Sequence, residues 1–293
     1  MSDRPTDAER GDTGGTDGED EGLTPAAAFA LLGEPTRLAI VRAVWEAPAD
    51  VVSFSDLRDR VGVADTGRFN YHLGKLRGHF LRRVDGGYEL RQAGLEVVRA
   101  VLAGVINEAP VRDPAPVGAP CPDCDGPLLV SYDGHGTVSC GDCETVWMHN
   151  EFPPAGLTGR DAPALARTLD RWTRYRSLLA FEGVCPTCAS ETGCDVESTE
   201  RGPFAERRCT HCGHVSRAPV WALVLDHPDV QRFFDSRGVD VRVRPFWELA
   251  THAVPSSAGG GQDGFVVEFS VRGDCLRVGV DAALRVTTVA RER

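Results

Sequence analysis

The sequence predicts a multidomain chain, mainly α at its N-terminus and α+β at its C-terminus, with two cysteine-rich modules between. Three observations carry this expectation. A length of 293 residues exceeds what one core usually holds. Apolar spacing of helical period dominates residues 24–105. Eight of the 10 cysteines fall in four C-x-x-C pairs. One further feature sets the functional question. The formal net charge is −11, yet "TGRFNYHLGKLRGHFLRR" (66–83) holds Arg68, Lys75, Arg77, Arg82 and Arg83 and no acid. Asp65 and Asp85 stand just outside it.

Taken in order, residues 1–23 are expected to form a disordered acidic tail. Met1 to Gly22 sets eight acids against two arginines with almost no large apolar residue, which fits neither a signal peptide nor a membrane anchor. Pro25 to Leu32 and Pro35 to Trp45 are apolar-periodic helices broken at Gly33, with proline at a helix start. Ser53 or Ser55 caps a short helix that Gly62 ends. Asp65 or Thr66 caps a longer one running to about Phe80. "FLRRVDGGYEL" reads as a hairpin around Asp85-Gly86-Gly87. A last helix covers about Gln92 to Val105, with Leu95, Val98, Leu102 and Val105 on one stripe. Four prolines then predict an extended linker over 106–120.

Beyond the linker come cysteine modules at 121–150 and 185–215, joined through 151–184 by a helix of about Asp161 to Phe181. Residues 216–293 read as α+β. His227-Pro228 opens a helix that Gly238 closes, and "DVRVRPF" alternates as a half-buried strand does. "SSAGGGQDG" (256–264) is expected to be a flexible loop. "FVVEFSV" and "CLRVGVD" flank the turn Arg272-Gly273-Asp274 as a hairpin.

No apolar run approaches the ~20 residues that span a bilayer, so an intracellular, cytoplasmic protein with reduced thiols is expected. In that setting paired cysteines point to metal before disulfides. Cys121, Cys124, Cys140 and Cys143 are split by a 15-residue spacer; Cys185, Cys188, Cys209 and Cys212 by one of 20. Both fit zinc ribbons, in which each C-x-x-C turn presents two thiolates and the intervening strands bring the second pair round to complete a tetrahedron. Two structural Zn2+ sites are therefore expected, since four thiolates leave no open position. Three alternatives remain: a redox C-x-x-C, His211 or His214 replacing a ligand in the second site, and a switch that releases zinc on oxidation. Cys194 and Cys275 are unpaired by spacing and read as small buried hydrophobes.

Helix, helix, helix, hairpin, helix is the order of a winged helix-turn-helix. The expected fold class is thus a mainly α winged helix-turn-helix N-terminal domain, two zinc ribbons and a small α+β C-terminal domain. Residues 26–105 hold 11 Lys/Arg against 9 Asp/Glu, so +2 against −11 for the whole chain. A helix without acids fits the major groove, where side chains reach base edges and cations meet phosphates. The candidate contacts to double-stranded DNA are Thr66, Arg68, Asn70, Tyr71, His72, Lys75 and Arg77 on the helix, with Arg82 and Arg83 entering the wing. Phe69, Leu73, Leu76 and Phe80 fall on the core side.

The stretch "FALLGEPTRLAIVRAV...SFSDLRDRVGV.DTGRFNYHLGKL" resembles the DNA-binding domain of ArsR-type winged-helix regulators, especially the halophilic-archaeal branch in which "FNYHL.KL" recurs. The resemblance covers residues 26–105. It implies a role in transcription control, a dimer through the first and last helices, and DNA contact over Thr66 to Arg77 and Arg82 to Tyr88. "SDLRDRV" lacks the cysteine motif of metal-sensing members, so their thiol sensor is not carried over. The excess of 43 acids over 32 bases, with Lys75 as the one lysine, also resembles halophilic proteins, whose acidic surfaces stay soluble in concentrated salt.

No G-x-S-x-G, P-loop or H-E-x-x-H is present, and the histidines do not assemble, so no enzyme is expected. The sequence therefore predicts a sequence-specific transcriptional regulator that homodimerises through helix 92–105 and takes a small-molecule or protein effector at its C-terminal domain. The alternative is a zinc-ribbon adaptor that binds RNA polymerase, the ribosome or another protein without operator specificity.

Overall fold

The structure, a computed structural model, describes residues 22–199, 201–254 and 264–292. The acidic-tail expectation falls outside these residues except at its end, as does the "SSAGGGQDG" loop except for Gly264. The chain divides into two compact units, one running to Leu102 and the other starting at Ala103.

In the first unit, α1 (Pro25–Leu32) is capped by Thr24, whose hydroxyl accepts from the Ala27 amide. The Glu34 carboxylate caps α2 (Pro35–Trp45), which buries Ile40, Val41, Ala43 and Val44. Ser53 caps α3 (Phe54–Val61), and Gly62 ends it in the left-handed conformation. Asp65 caps α4 (Thr66–Leu76) by accepting from the Arg68 amide at 3.0 Å. Strands β1 (Leu81–Val84) and β2 (Gly87–Leu90) pair antiparallel, and α5 (Gln92–Leu102) closes the unit. Tyr88 and Val52 exchange two backbone hydrogen bonds of 2.9 Å, tying the hairpin to the start of α3. Glycine is required at 87, because a Cβ there would meet the Val52 carbonyl oxygen at 2.1 Å. Phe69, Leu73, Leu76 and Phe80 are buried with Ile40, Leu57 and Val98 in one core.

In the second unit, β3 (Arg112–Pro120), β4 (Pro127–Tyr132), β5 (His135–Cys140) and β6 (Val146–Glu151) form an antiparallel sheet in sequence order. The long helix α6 (Ala162–Phe181), capped by Asp161, lays Leu165, Ala166 and Leu169 into a core shared with Leu128, Val130, Val138 and Met148. A three-stranded sheet follows: β7 (Thr192–Thr199), β8 (Gly202–Cys209) and β9 (Val215–Pro219). Short helix α7 (Val220–Leu223), α8 (Pro228–Asp235) and α9 (Phe246–Ala250) lead to β10 (Ala253–Val254), β11 (Phe265–Val271), β12 (Asp274–Val280) and β13 (Val286–Glu292), again antiparallel in sequence order. Phe233, Phe234 and Phe269 anchor the core of this last part, with Phe234 and Phe269 edge-to-face at 5.2 Å.

The architecture corrects the expected fold class. The described residues are about 36% helical and 32% strand with four antiparallel sheets, which does not fit a chain led by a mainly α winged helix-turn-helix domain. Strand content was underestimated for local reasons. Residues 106–120, expected as a linker, carry β3. Its prolines are tolerated because it is an edge strand whose register with β4 shifts twice. "DVRVRPF", expected as a strand, is instead a turn that runs into α9. Asp240 folds it back by accepting from the Arg242 amide (2.9 Å) through its carboxylate and from the Arg244 amide (3.0 Å) through its carbonyl. Pro245 then opens the helix.

Candidate metal centres and cationic helix face

Each cysteine quartet is assembled from two knuckles. In the first, Cys121 and Cys124 follow β3, Cys140 ends β5, and Cys143 lies in the β5–β6 turn. In the second, Cys185 and Cys188 precede β7, Cys209 ends β8, and Cys212 lies in the β8–β9 turn. The same local geometry recurs four times. The residue after the second cysteine takes positive φ: Asp125 (61°), Glu144 (59°), Ala189 (60°) and Gly213 (76°). The first cysteine's amide donates to the carbonyl two residues beyond the second, at 2.7 to 2.9 Å. Three of these left-handed residues carry a Cβ, a conformation L-residues adopt at a cost, so the turn is held by what surrounds it.

Within each quartet the sulfur atoms lie within 4.8 Å of one another. The Sγ–Sγ separations are 3.8 Å (Cys121–Cys143) and 3.4 Å (Cys124–Cys140) in the first, and 3.6 Å (Cys185–Cys212) and 3.5 Å (Cys188–Cys209) in the second. A metal bonded tetrahedrally to sulfur at about 2.3 Å sets its ligands about 3.8 Å apart, so the donor sets fit such an ion. Backbone amides point at the sulfurs: those of Asp142 and Cys143 donate to Cys140 Sγ, and those of His211 and Cys212 to Cys209 Sγ, all at 3.4 Å. Such donors favour thiolate over thiol.

The thiols are strongly polarised against one another. Hydrogen bonds with the Thr145 side chain and backbone bring Cys143 down to about 6, and those with Ser190 bring Cys188 to about 6. The Gly126 amide opposes the shift at Cys124, yet contacts with Cys140 and Cys143 push it up to about 12. Despite the His214 amide, burial and contact with Cys188 push Cys212 up to about 12. A cation among the sulfurs would relieve this conflict. Neither His211 nor His214 completes a site, because four sulfurs already do; His214 sits 3.0 Å from Ser216 Oγ and 3.7 Å from the Glu151 carboxylate. Cys194 and Cys275 join neither quartet and are half-buried. Sequence reasoning missed Thr145 and Arg201. The Thr145 hydroxyl contacts Cys143 Sγ at 3.3 Å, and Arg201 from the β7–β8 turn reaches both Thr145 and Asp123 of the first knuckle. Nothing in the sequence spacing links residue 201 to residue 123.

On the first unit, α4 splits into two faces. Thr66, Arg68, Asn70, Tyr71, Lys75 and Arg77 are exposed, as are Arg82 and Arg83 on β1. His72 does not join them. It is 7% exposed and turned inward, with Nδ1 3.2 Å from the Glu34 carboxylate but off the line of a hydrogen bond. At the i+3 position from Phe69 it shares the core face, which corrects its assignment as a contact residue. Burial works against the shift, but the Thr36 hydroxyl and Arg37 amide, each at 3.0 Å, together with His72 hold the Glu34 carboxyl below its usual range. Two of the exposed residues are already engaged: Thr66 Oγ1 accepts from Arg58 at 3.0 Å, and Arg82 pairs with Glu89 across the hairpin. Lys75 lies 5.6 Å above the Tyr71 ring.

The chain thus combines two four-cysteine clusters that could each hold a metal ion with an exposed, acid-free cationic helix. It belongs to the family described as a domain of unknown function (DUF7351), which matches residues 118–286 and so takes in both quartets. Residues 25–101 match a second domain of unknown function (DUF7347). No curated protein and no solved structure matches the chain. Among the described residues, no helix is long and apolar enough to cross a membrane.

Proposed function

We propose that the protein is a sequence-specific DNA-binding transcriptional regulator whose α4 enters the major groove while β1 rides on the backbone. The observation that carries this reading is the one-signed face of residues 66–83. All five cationic side chains there are exposed, the stretch itself holds no acid, and the other side of the same helix is sealed into the core. At 11 residues α4 is about 16 Å long, enough to cross a groove about 12 Å wide. Arg68 and Asn70, near its start, are the side chains suited to bidentate bonds with guanine and adenine. The resemblance to ArsR-type regulators supports the same reading.

The metal is zinc in a structural role: four thiolates favour it and leave no position for substrate. The exposed apolar residues Phe29 on α1 and Leu102 on α5 support a homodimer. The test is a gel shift of the gene's own promoter fragment in concentrated KCl. A specific shift that disappears in the Arg68→Ala, Asn70→Ala double variant is expected. Weak binding indifferent to sequence, with co-purification of RNA polymerase or ribosomal components, would replace the regulator with an adaptor.

A further inference from the structure

The second unit contains a cavity of about 540 Å³ that neither the metal centres nor the DNA face uses. It lies where β6, α6, β8, β9, α7, α9, β10 and β11 converge, and its volume falls in the range that holds a small organic ligand. Four aromatic side chains line it. Trp221 and Phe246 stack at 4.8 Å with their planes 25° apart, Trp147 lies under the Arg201 guanidinium at 5.2 Å, and Phe204 is the fourth. Rings presented this way accept a flat apolar body.

Two polar groups of the same wall are unsatisfied. Trp147 Nε1 and Thr173 Oγ1 are buried without a hydrogen-bond partner, an arrangement that proteins rarely tolerate without a reason. The charges around the cavity do not cancel. Arg174 is matched by Asp170 at 3.3 Å and Arg201 by Asp123. Among the described residues Arg217 pairs with Glu206 at 2.6 Å, and Glu206 also holds Arg208 at 2.9 Å. Among the described lining residues, Arg174, Arg201 and Arg217 face Asp123 and Asp170, which leaves one positive charge over.

From these features we infer that the cavity binds an aromatic monoanion, a planar ring system bearing one carboxylate. The rings lie against Trp221 and Phe246, and the carboxylate reaches the Arg217 side. The site belongs to the second unit alone and holds whether or not the first unit binds DNA.

The test is calorimetric titration of the full chain with 2-naphthoate, 2-naphthalenemethanol and 2-naphthylmethylamine. Naphthoate is expected to bind with a Kd below about 1 mM, the range open to so small a ligand. The alcohol is expected to bind about fivefold or more weakly, and the amine more weakly still. Arg217→Gln, a change at an exposed side chain, should bring naphthoate to the level of the alcohol. Ala222→Phe, which fills the cavity, should weaken it about tenfold or more. Should Ala222→Phe fail to fold, the Trp147 indole N–H resonance of the unaltered chain serves instead, and it is expected to move on adding naphthoate. No binding, equal binding of acid and alcohol, naphthoate binding insensitive to Arg217→Gln, or an unmoved Trp147 resonance would overturn the inference.

Discussion

Salt separates the two kinds of contact that α4 and β1 are proposed to make. Arg82 and Arg83 project from β1, where Arg82 already shares its charge with Glu89 across the strand pair. Both are proposed to meet phosphates. Each phosphate contact steepens the salt dependence of log K by about 0.9, so Arg83→Ala costs about 8-fold in affinity at 0.1 M salt and little near 1 M. The double variant Arg82→Ala, Arg83→Ala costs at most about 60-fold at 0.1 M, less by whatever Glu89 already takes from Arg82. Asn70→Ala removes a base-edge contact instead, about 1–3 kcal/mol or roughly 5- to 150-fold, and its cost should persist at every salt concentration. At 1 M the Debye length is about 3 Å, which leaves base contacts as the main determinant. Fluorescence anisotropy on one operator duplex from 0.1 to 2 M KCl measures both slopes. If the double arginine variant costs more than Asn70→Ala at 1 M, or leaves the slope unchanged, the assignment of roles is wrong.

Three further outcomes follow from the packing and the thiol chemistry. Gly87→Ala should destabilise the first unit by about 1–3 kcal/mol, read as a fall in its melting temperature, because the added carbon meets the Val52 backbone rather than a yielding side chain. Asp170 is buried, accepts from the Phe246 amide at 2.8 Å and pairs with Arg174, which donates in turn to the carbonyls of Val241 and Arg244. In urea unfolding Asp170→Ala should therefore cost about 1–3 kcal/mol, since the Phe246 amide loses its acceptor and the half-buried Arg174 its carboxylate, and Asp170→Asn should cost less because it still accepts from Phe246. Metal binding should weaken as pH falls. Above pH 6 the metal displaces at least the Cys124 proton, held up to about 12, so affinity drops about tenfold per pH unit. Below about 6 the Cys143 thiolate also protonates and the slope steepens by about one further factor of ten per pH unit, which a chelator competition between pH 5 and 8 would reveal.

Which features could be read from the sequence depends on how local their cause is. The caps at Ser53 and Asp65, the Gly62 stop and the hairpins at Asp85-Gly86 and Arg272-Gly273 were legible because each is fixed by a few neighbouring residues. The two quartets were legible because their chemistry fixes both residue type and spacing. Strand β3 was hidden by its own prolines, which an edge position forgives. The 240–246 turn was hidden because Val241 and Val243 alternate with Arg as in a strand. Only the Asp240 caps and the distant Arg174, bonded to the carbonyls of Val241 and Arg244, reveal otherwise. His72 sits amid cationic residues, yet its position on the helix turns it inward, beside the half-buried Glu34. The aromatic cavity draws on eight elements and leaves no trace in any single stretch.

Selection from a random duplex library in molar KCl puts the proposed reading of DNA by α4 to its most direct test. Enrichment of one short motif by the full chain is expected, with that enrichment lost when Asn70 and Arg68 are replaced by alanine. A bound pool with the same base composition at every position as the starting library would contradict it.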